Sequence, residues 1–177
     1  MRKALVVTAV TAVGLVGALQ GTAHAGDTTT TFVLTAGGLG ISVPNSATMN
    51  SAAAGATTDT GSLGNVTVTD ARGSLVSTWT AAVSTTDFTT GTATANEKVV
   101  KANVGYASGV GTAALGQVGA MTPTGALTPV ALGSAATGAS WTGVGNNTVT
   151  WNPTLTFTLL PSQVAGTYTG TITHSVS

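Results

Sequence analysis

The stretch Thr154-Leu155-Thr156-Phe157-Thr158-Leu159-Leu160 alternates polar and apolar residues with a period of two. Such alternation puts one set of side chains on each face of a strand, so that one face is buried while the other meets water. The clearest second example covers residues 166–176. Six earlier segments show the same tendency and are also predicted to be strands, namely residues 30–35, 39–43, 65–69, 75–83, 98–106 and 147–151.

Turn residues separate these segments, for example Gly37-Gly38, Arg72-Gly73 and Asn152-Pro153. Beyond the first residues no window shows a helical period, and the many β-branched Thr and Val residues favour a pleated sheet. The sequence therefore predicts an all-β fold, an antiparallel β-sandwich of the Ig-like or jelly-roll-like kind. Residues 50–62 and 109–140 lack alternation and are predicted to be long loops.

The first 25 residues have the three parts of a secretory signal peptide. Met1-Arg2-Lys3 is basic, residues 4–19 are apolar, and Ala23-His24-Ala25 offers small residues to signal peptidase. A membrane anchor is the alternative, but the apolar run is shorter than the ~20 residues that a spanning helix needs. We expect cleavage after Ala25, a single secreted domain of residues 26–177, and no membrane contact afterwards.

Charge and cysteine content restrict the partners of this domain. After cleavage it carries three basic and five acidic residues, a formal charge of −2. Such a surface cannot neutralise many phosphates, which argues against nucleic acid and anionic lipid as partners. The chain has no Cys, so stability must come from the core and the sheets. Because 42% of its residues are hydrophobic, we expect it to fold rather than to be disordered.

Catalytic and cofactor chemistry lacks the necessary residues. His174 is the one histidine left after cleavage and the one candidate base at neutral pH. No Gly-x-Ser-x-Gly elbow and no phosphate-binding glycine loop is present. Zinc would need three or four ligands, and the acidic residues are scattered singly. We therefore predict no enzyme activity, no catalytic residues, no metal site and no cofactor. His174 is interpreted as a hydrogen-bonded core residue.

The three tryptophans are the candidates for binding a glycan by stacking. Trp79 shares a strand face with Leu75 and Val83, which predicts a core position. Trp151 lies at the end of a predicted strand, and Trp141 lies in a Gly-rich segment. We expect the side chains of Trp141 and Trp151 to be more accessible than that of Trp79, and hence better placed to stack on a sugar ring.

A second candidate site is the turn that contains Asp70 and Arg72. The structural interpretation is that Asp70 accepts backbone hydrogen bonds in the turn and pairs with Arg72. The functional interpretation is a clamp in which the guanidinium fork of Arg72 binds the carboxylate of a peptide ligand.

These residues carry a resemblance to a known family. Asn65-Val66-Thr67-Val68-Thr69-Asp70-Ala71-Arg72-Gly73, followed by Trp79, resembles the first signature of the WxL domain, whose name describes a Trp-x-Leu motif. Residues 168–176 resemble its second signature, an aromatic-led alternating strand that closes the domain. The order and spacing of the two segments agree over roughly the whole mature chain.

Both motifs are degenerate in this chain. Ala81 stands where the family has Leu, and His174 and Val176 stand where it has Trp and Leu. WxL domains belong to Gram-positive bacteria, and the Ala, Gly and Thr bias is typical of an actinobacterial lineage. The resemblance implies a secreted protein that lies on the cell surface and associates non-covalently with peptidoglycan.

Two other functions remain open from the sequence. The chain could be a structural subunit of a surface fibre or coat, an oligomer that assembles by strand exchange with other surface proteins. Residues 27–34, which are Thr-rich, would then be the donated strand. It could also be a secreted glycan-binding module.

Overall fold

The computed structural model describes residues 29–125 and 128–177. The described strands lie within residues 34–177, which form one compact unit, whereas residues 29–33 belong to a separate N-terminal unit and to no strand. The predicted signal peptide lies outside the described residues. Within them there is no α-helix, and two 3-10 helices span Ala95–Glu97 and Lys101–Asn103.

Strands account for most of the regular structure and are numbered here in chain order. They are β1 (Leu39–Ser42), β2 (Thr58–Ser62), β3 (Val66–Asp70), β4 (Ser77–Thr85), β5 (Phe88–Thr89), β6 (Lys98–Val99), β7 (Val104–Ala107), β8 (Thr112–Ala113), β9 (Val118–Pro123), β10 (Val130–Ala131), β11 (Ala136–Val144), β12 (Asn147–Trp151), β13 (Thr154–Thr158) and β14 (Ile172–Val176). Sheet A has the order β1-β3-β12-β8, sheet B the order β10-β7-β13-β2, and sheet C the order β14-β4-β11-β9. All pairs are antiparallel, and β5 and β6 form a separate pair.

Sheets A and B cover the same side of sheet C, one after the other. Ala81 of β4 packs in a buried cluster with Val68 and Val149 of sheet A. Val83, two residues further along β4, packs in a second cluster with Tyr106 and Leu155 of sheet B. The prediction of an all-β antiparallel sandwich is confirmed.

Alternation along the strands explains this packing. On β4 the side chains of Trp79 and Ala81 are buried, whereas those of Thr78 and Thr80 are exposed. The predicted strand at residues 154–160 is β13, which buries Leu155 and Phe157 as expected. Burial of the apolar set on one face fixes the register, since a slip by one residue would expose it.

Several predicted boundaries are wrong. Residues 109–140, predicted to be a loop, contain β8, β9, β10 and the first part of β11. Their small residues gave no alternation because β9 is an edge strand whose side chains are mostly exposed. Residues 58–62 form β2 instead of a loop, and residues 30–35 form no strand. Leu75, expected on the core face with Trp79, precedes β4 and is 82% exposed.

Candidate functional site

The three tryptophans stack on one another inside the sandwich. Trp79 and Trp141 face each other in the register of β4 and β11, and Trp151 approaches from sheet A. The ring centroids of Trp79 and Trp141 are 6.5 Å apart with planes at 10°, and those of Trp79 and Trp151 are 6.0 Å apart with planes at 19°. Each side chain is 2% exposed. The core position predicted for Trp79 is confirmed.

The expected accessibility of Trp141 and Trp151 is wrong. Trp141 is buried because its strand, β11, lies between β4 and β9 in sheet C. The prediction of a loop at residues 109–140 left no place for β9. Trp151 points inward with Val149, although it ends its strand. Burial therefore leaves no indole face open to a sugar ring, and the stack supports the sandwich as a core element.

Asp70 is the centre of a buried polar network. Its carboxylate accepts hydrogen bonds from the Arg72 backbone N–H at 3.0 Å, from Arg72 Nε at 2.9 Å and from Arg72 Nη2 at 2.8 Å. These bonds hold the pKa of Asp70 well below its usual range. Arg72 Nη2 also donates to the carbonyl of Thr78 at 2.7 Å. Because Asp70 already occupies the guanidinium fork, the geometry favours the structural interpretation of this turn over a carboxylate clamp.

The network continues from Asp70 to the tryptophan stack through two residues that the sequence analysis missed. Ser77 Oγ donates to Asp70 at 2.9 Å, and Asn147 Nδ2 donates to Ser77 Oγ at 2.6 Å. Trp79 Nε1 completes the chain by donating to Asn147 Oδ1 at 2.8 Å. Ser77 and Asn147 both occupy inward positions of their strands. A polar residue at a position where the alternation predicts an apolar one could have identified them from the sequence.

A second polar contact joins Trp151 to the C-terminal strand. Trp151 Nε1 donates to Tyr106 Oη at 3.0 Å, and Tyr106 Oη lies 3.2 Å from His174 Nε2. Burial raises the pKa of Tyr106 to about 12 and lowers the pKa of His174 to about 4. His174 is half-buried and hydrogen-bonded, as predicted, and its low pKa makes it a weak base at neutral pH.

The low pKa of His174 predicts acid lability. An unfolded chain protonates histidine near pH ~6.5, whereas the folded protein does so near pH 4. Between these values the unfolded chain binds more protons, so the free energy of unfolding should fall as the pH falls from ~6.5 towards 4. Urea unfolding at several pH values should show this slope for the wild type and a smaller one for His174→Gln. Equal slopes would contradict the assignment.

A cleft of about 760 Å³ opens beside the sandwich, between residues 43–56 and residues 159–174. Buried side chains of the second core cluster form its floor, including Phe88 and Phe157. Among the described residues that line it, Asp59 is the one that carries a charge. A ligand in this cleft would meet an apolar floor and polar, nearly uncharged walls.

The outer faces of the sheets form a third kind of surface. On sheet C the register places Thr80 of β4, Ser140 of β11 and Thr122 of β9 in one row, which Ser177, directly after β14, continues. On sheet A a matching row consists of Ser42, Thr67, Thr150 and Thr112. Neighbouring strands lie about 4.8 Å apart, so each row is a regular array of hydroxyl groups. No outward position on the strands of these two sheets carries a charge.

Within the described residues, no group of three or more His, Cys, Asp or Glu side chains could hold a metal ion. The same part of the chain has no helix with the length and apolarity to cross a membrane. No protein-family model, no curated protein and no solved structure matches the chain.

Proposed function

We propose that this chain is a non-enzymatic, secreted cell-surface protein that associates non-covalently with the peptidoglycan of the cell wall. The hydroxyl rows on uncharged sheet faces are the observation that carries the proposal. The signal-peptide pattern of residues 1–25 and the resemblance to WxL domains support it from the sequence. The tryptophans and the Asp70 turn maintain the fold in this proposal and do not contact the wall.

The chemistry of the faces suits a neutral polysaccharide. Hydroxyl groups donate and accept hydrogen bonds, so they can match sugar hydroxyls and acetamido groups without the desolvation of a charge. Each contact is weak, but a regular array on a repeating polymer multiplies such contacts. Sheet C offers the larger face because β4 and β11 each have nine residues. We therefore assign the wall contact to the outer face of sheet C.

Sedimentation of the exported protein with isolated cell walls tests this proposal. Wild-type protein should pellet with walls, and raising the salt concentration should change the bound fraction little, since few charges take part. Thr80→Glu combined with Thr142→Glu should lower the bound fraction roughly tenfold or more, because unpaired carboxylates would be desolvated at the contact. Both threonines are exposed, so folding should be retained.

The matched control places the same two charges on sheet A. Thr69→Glu combined with Thr112→Glu changes the net charge equally at exposed sites and should bind walls like the wild type. If the two double variants bind equally well, sheet C is not the contact face. If the wild type remains in the supernatant, wall association itself is wrong.

A further inference from the structure

The C-terminal strand, β14, is an edge strand of sheet C: β1 packs beside it, but no strand of the described residues pairs with its outer side. Thr80 and Ser177 exchange both backbone hydrogen bonds, at 2.9 and 3.1 Å, and the Thr86 N–H donates to the carbonyl of Thr171. Antiparallel ladders alternate, so Thr173 and Ser175 also face β4. The backbone groups of Ile172, His174 and Val176 therefore point away from β4, where no strand of the described residues pairs with them.

The partial burial of the β14 side chains agrees with this unpaired edge. Ile172, His174 and Val176 point towards the core but are only half-buried. The neighbouring inward residues of β4, Ala81 and Val83, are 0% and 1% exposed. Ile172 and His174 also line the 760 Å³ cleft. An unpaired strand edge thus borders a cleft with an apolar floor, which is a geometry that accepts an added strand.

The chain itself carries a segment that matches this edge. Residues 29–38 belong to no strand, and Phe32 and Leu34 are 88% and 83% exposed. From Thr28 to Thr58 the sequence has no charged residue, so this segment would bring no unpaired charge into the cleft. In an extended segment Phe32 and Leu34 share one face, and Thr31 and Thr35 lie on the other.

We propose that residues 30–36 of a second copy add to β14 as a strand and place Phe32 and Leu34 in the cleft. The other edge of sheet C fits less well, because β9 contains Gly119 and ends at Pro123, which has no N–H for a ladder. Donor and acceptor are different surfaces of one chain, so the contact is heterologous and continues from copy to copy. The protein is therefore a subunit of an open, head-to-tail assembly. This inference does not depend on wall association.

Light scattering after size-exclusion chromatography, over a range of concentrations of the exported protein, tests the inference. The wild type should rise in mass beyond a dimer as its concentration rises. Phe32→Asp combined with Leu34→Asp should weaken this association roughly 100-fold or more, because two carboxylates would face the apolar floor of the cleft. Thr31→Asp combined with Thr35→Asp adds the same charge on the opposite face and should assemble like the wild type.

Three results would overturn the inference. The first is a wild type that stays monomeric at every concentration. The second is a complex that stops at a dimer and survives the Phe32 and Leu34 substitutions, which indicates symmetric pairing of edges. The third is equal loss of assembly in the matched threonine variant. Circular dichroism of each variant checks that the sandwich has formed, and wall sedimentation is measured separately.

Discussion

Trp79→Ala is expected to lower the free energy of unfolding by about 3–5 kcal/mol. Single domains are typically stable by only ~5–15 kcal/mol, so much of the variant should be unfolded at moderate temperature. The indole of Trp79 lies between those of Trp141 and Trp151, and its Nε1 donates to Asn147. Its removal opens a cavity between two ring faces and leaves a buried amide oxygen without its donor. Thermal and urea unfolding measure the loss.

Two comparisons sharpen this prediction. Trp141→Ala should cost a similar amount, because Trp141 is equally buried. Substitution by phenylalanine keeps an aromatic ring but removes the indole N–H, so it measures the contribution of the hydrogen bond. Trp79→Phe deprives Asn147 of its donor. Trp141→Phe loses no hydrogen bond, because Nε1 of Trp141 has no partner in the described part of the chain. Trp79→Phe should therefore destabilise more than Trp141→Phe. Leu115→Ala, at a fully exposed side chain, is the neutral control. Equal melting of Trp79→Ala and the wild type would refute the stacked core.

Asp70→Ala is expected to cost about 2 kcal/mol, because it leaves the buried hydroxyl of Ser77 and the partly buried N–H groups of Arg72 without their acceptor. The carboxylate of Asp70 is 1% exposed and accepts hydrogen bonds from Arg72 and Ser77. Asp87→Ala is the matched control, since Asp87 pairs with Lys98 at 3.7 Å and accepts a hydrogen bond from the exposed Lys101 backbone N–H at 2.8 Å; at the surface these contacts together contribute only about 1 kcal/mol. Equal losses in the two variants would show that the buried network adds nothing.

The pH dependence of the Asp70 effect has a definite sign. Aspartate in an unfolded chain titrates near pH ~3.9, and hydrogen bonds from Arg72 lower the pKa of Asp70 in the folded state. The contribution of the ionised carboxylate is therefore complete above about pH 4 and is lost as the pH falls below that value. The gap in unfolding free energy between wild type and Asp70→Ala should shrink there. This window lies below the one expected for His174.

Strand alternation predicted the fold class, because strands with large apolar residues at every second position bury that face by packing one sheet against another. It located β13 and the core position of Trp79. It failed for residues 109–140, since an edge strand built of Ala, Gly and Thr shows no apolar face. That failure also misplaced Trp141, whose burial depends on the pairing of β9 with β11. Long-range pairing of this kind is absent from the local pattern.

The candidate surfaces were harder to predict than the fold. Asp70, Arg72 and Trp79 drew attention as rare residue types, and rare polar or aromatic residues in a Thr-rich chain turned out to hold the core together. The hydroxyl rows consist of Thr and Ser, and Thr is the most frequent residue type in the chain, so no single residue of the rows was distinctive. Their alignment across four strands depends on register, which the sequence alone does not give.

The tryptophan stack also constrains when the protein can fold. Trp79 donates to a residue 68 positions further along the chain, and Thr67 contacts Thr150 across 83 positions. Sandwiches dominated by such distant pairings fold in milliseconds to seconds, more slowly than helical proteins of similar size. A folding nucleus that includes the tryptophan stack cannot form until residue 151 is available to pack against Trp79. A chain that emerges from a secretion channel N-terminus first would thus stay unfolded through most of its passage, and its core would close only when the last strands arrive.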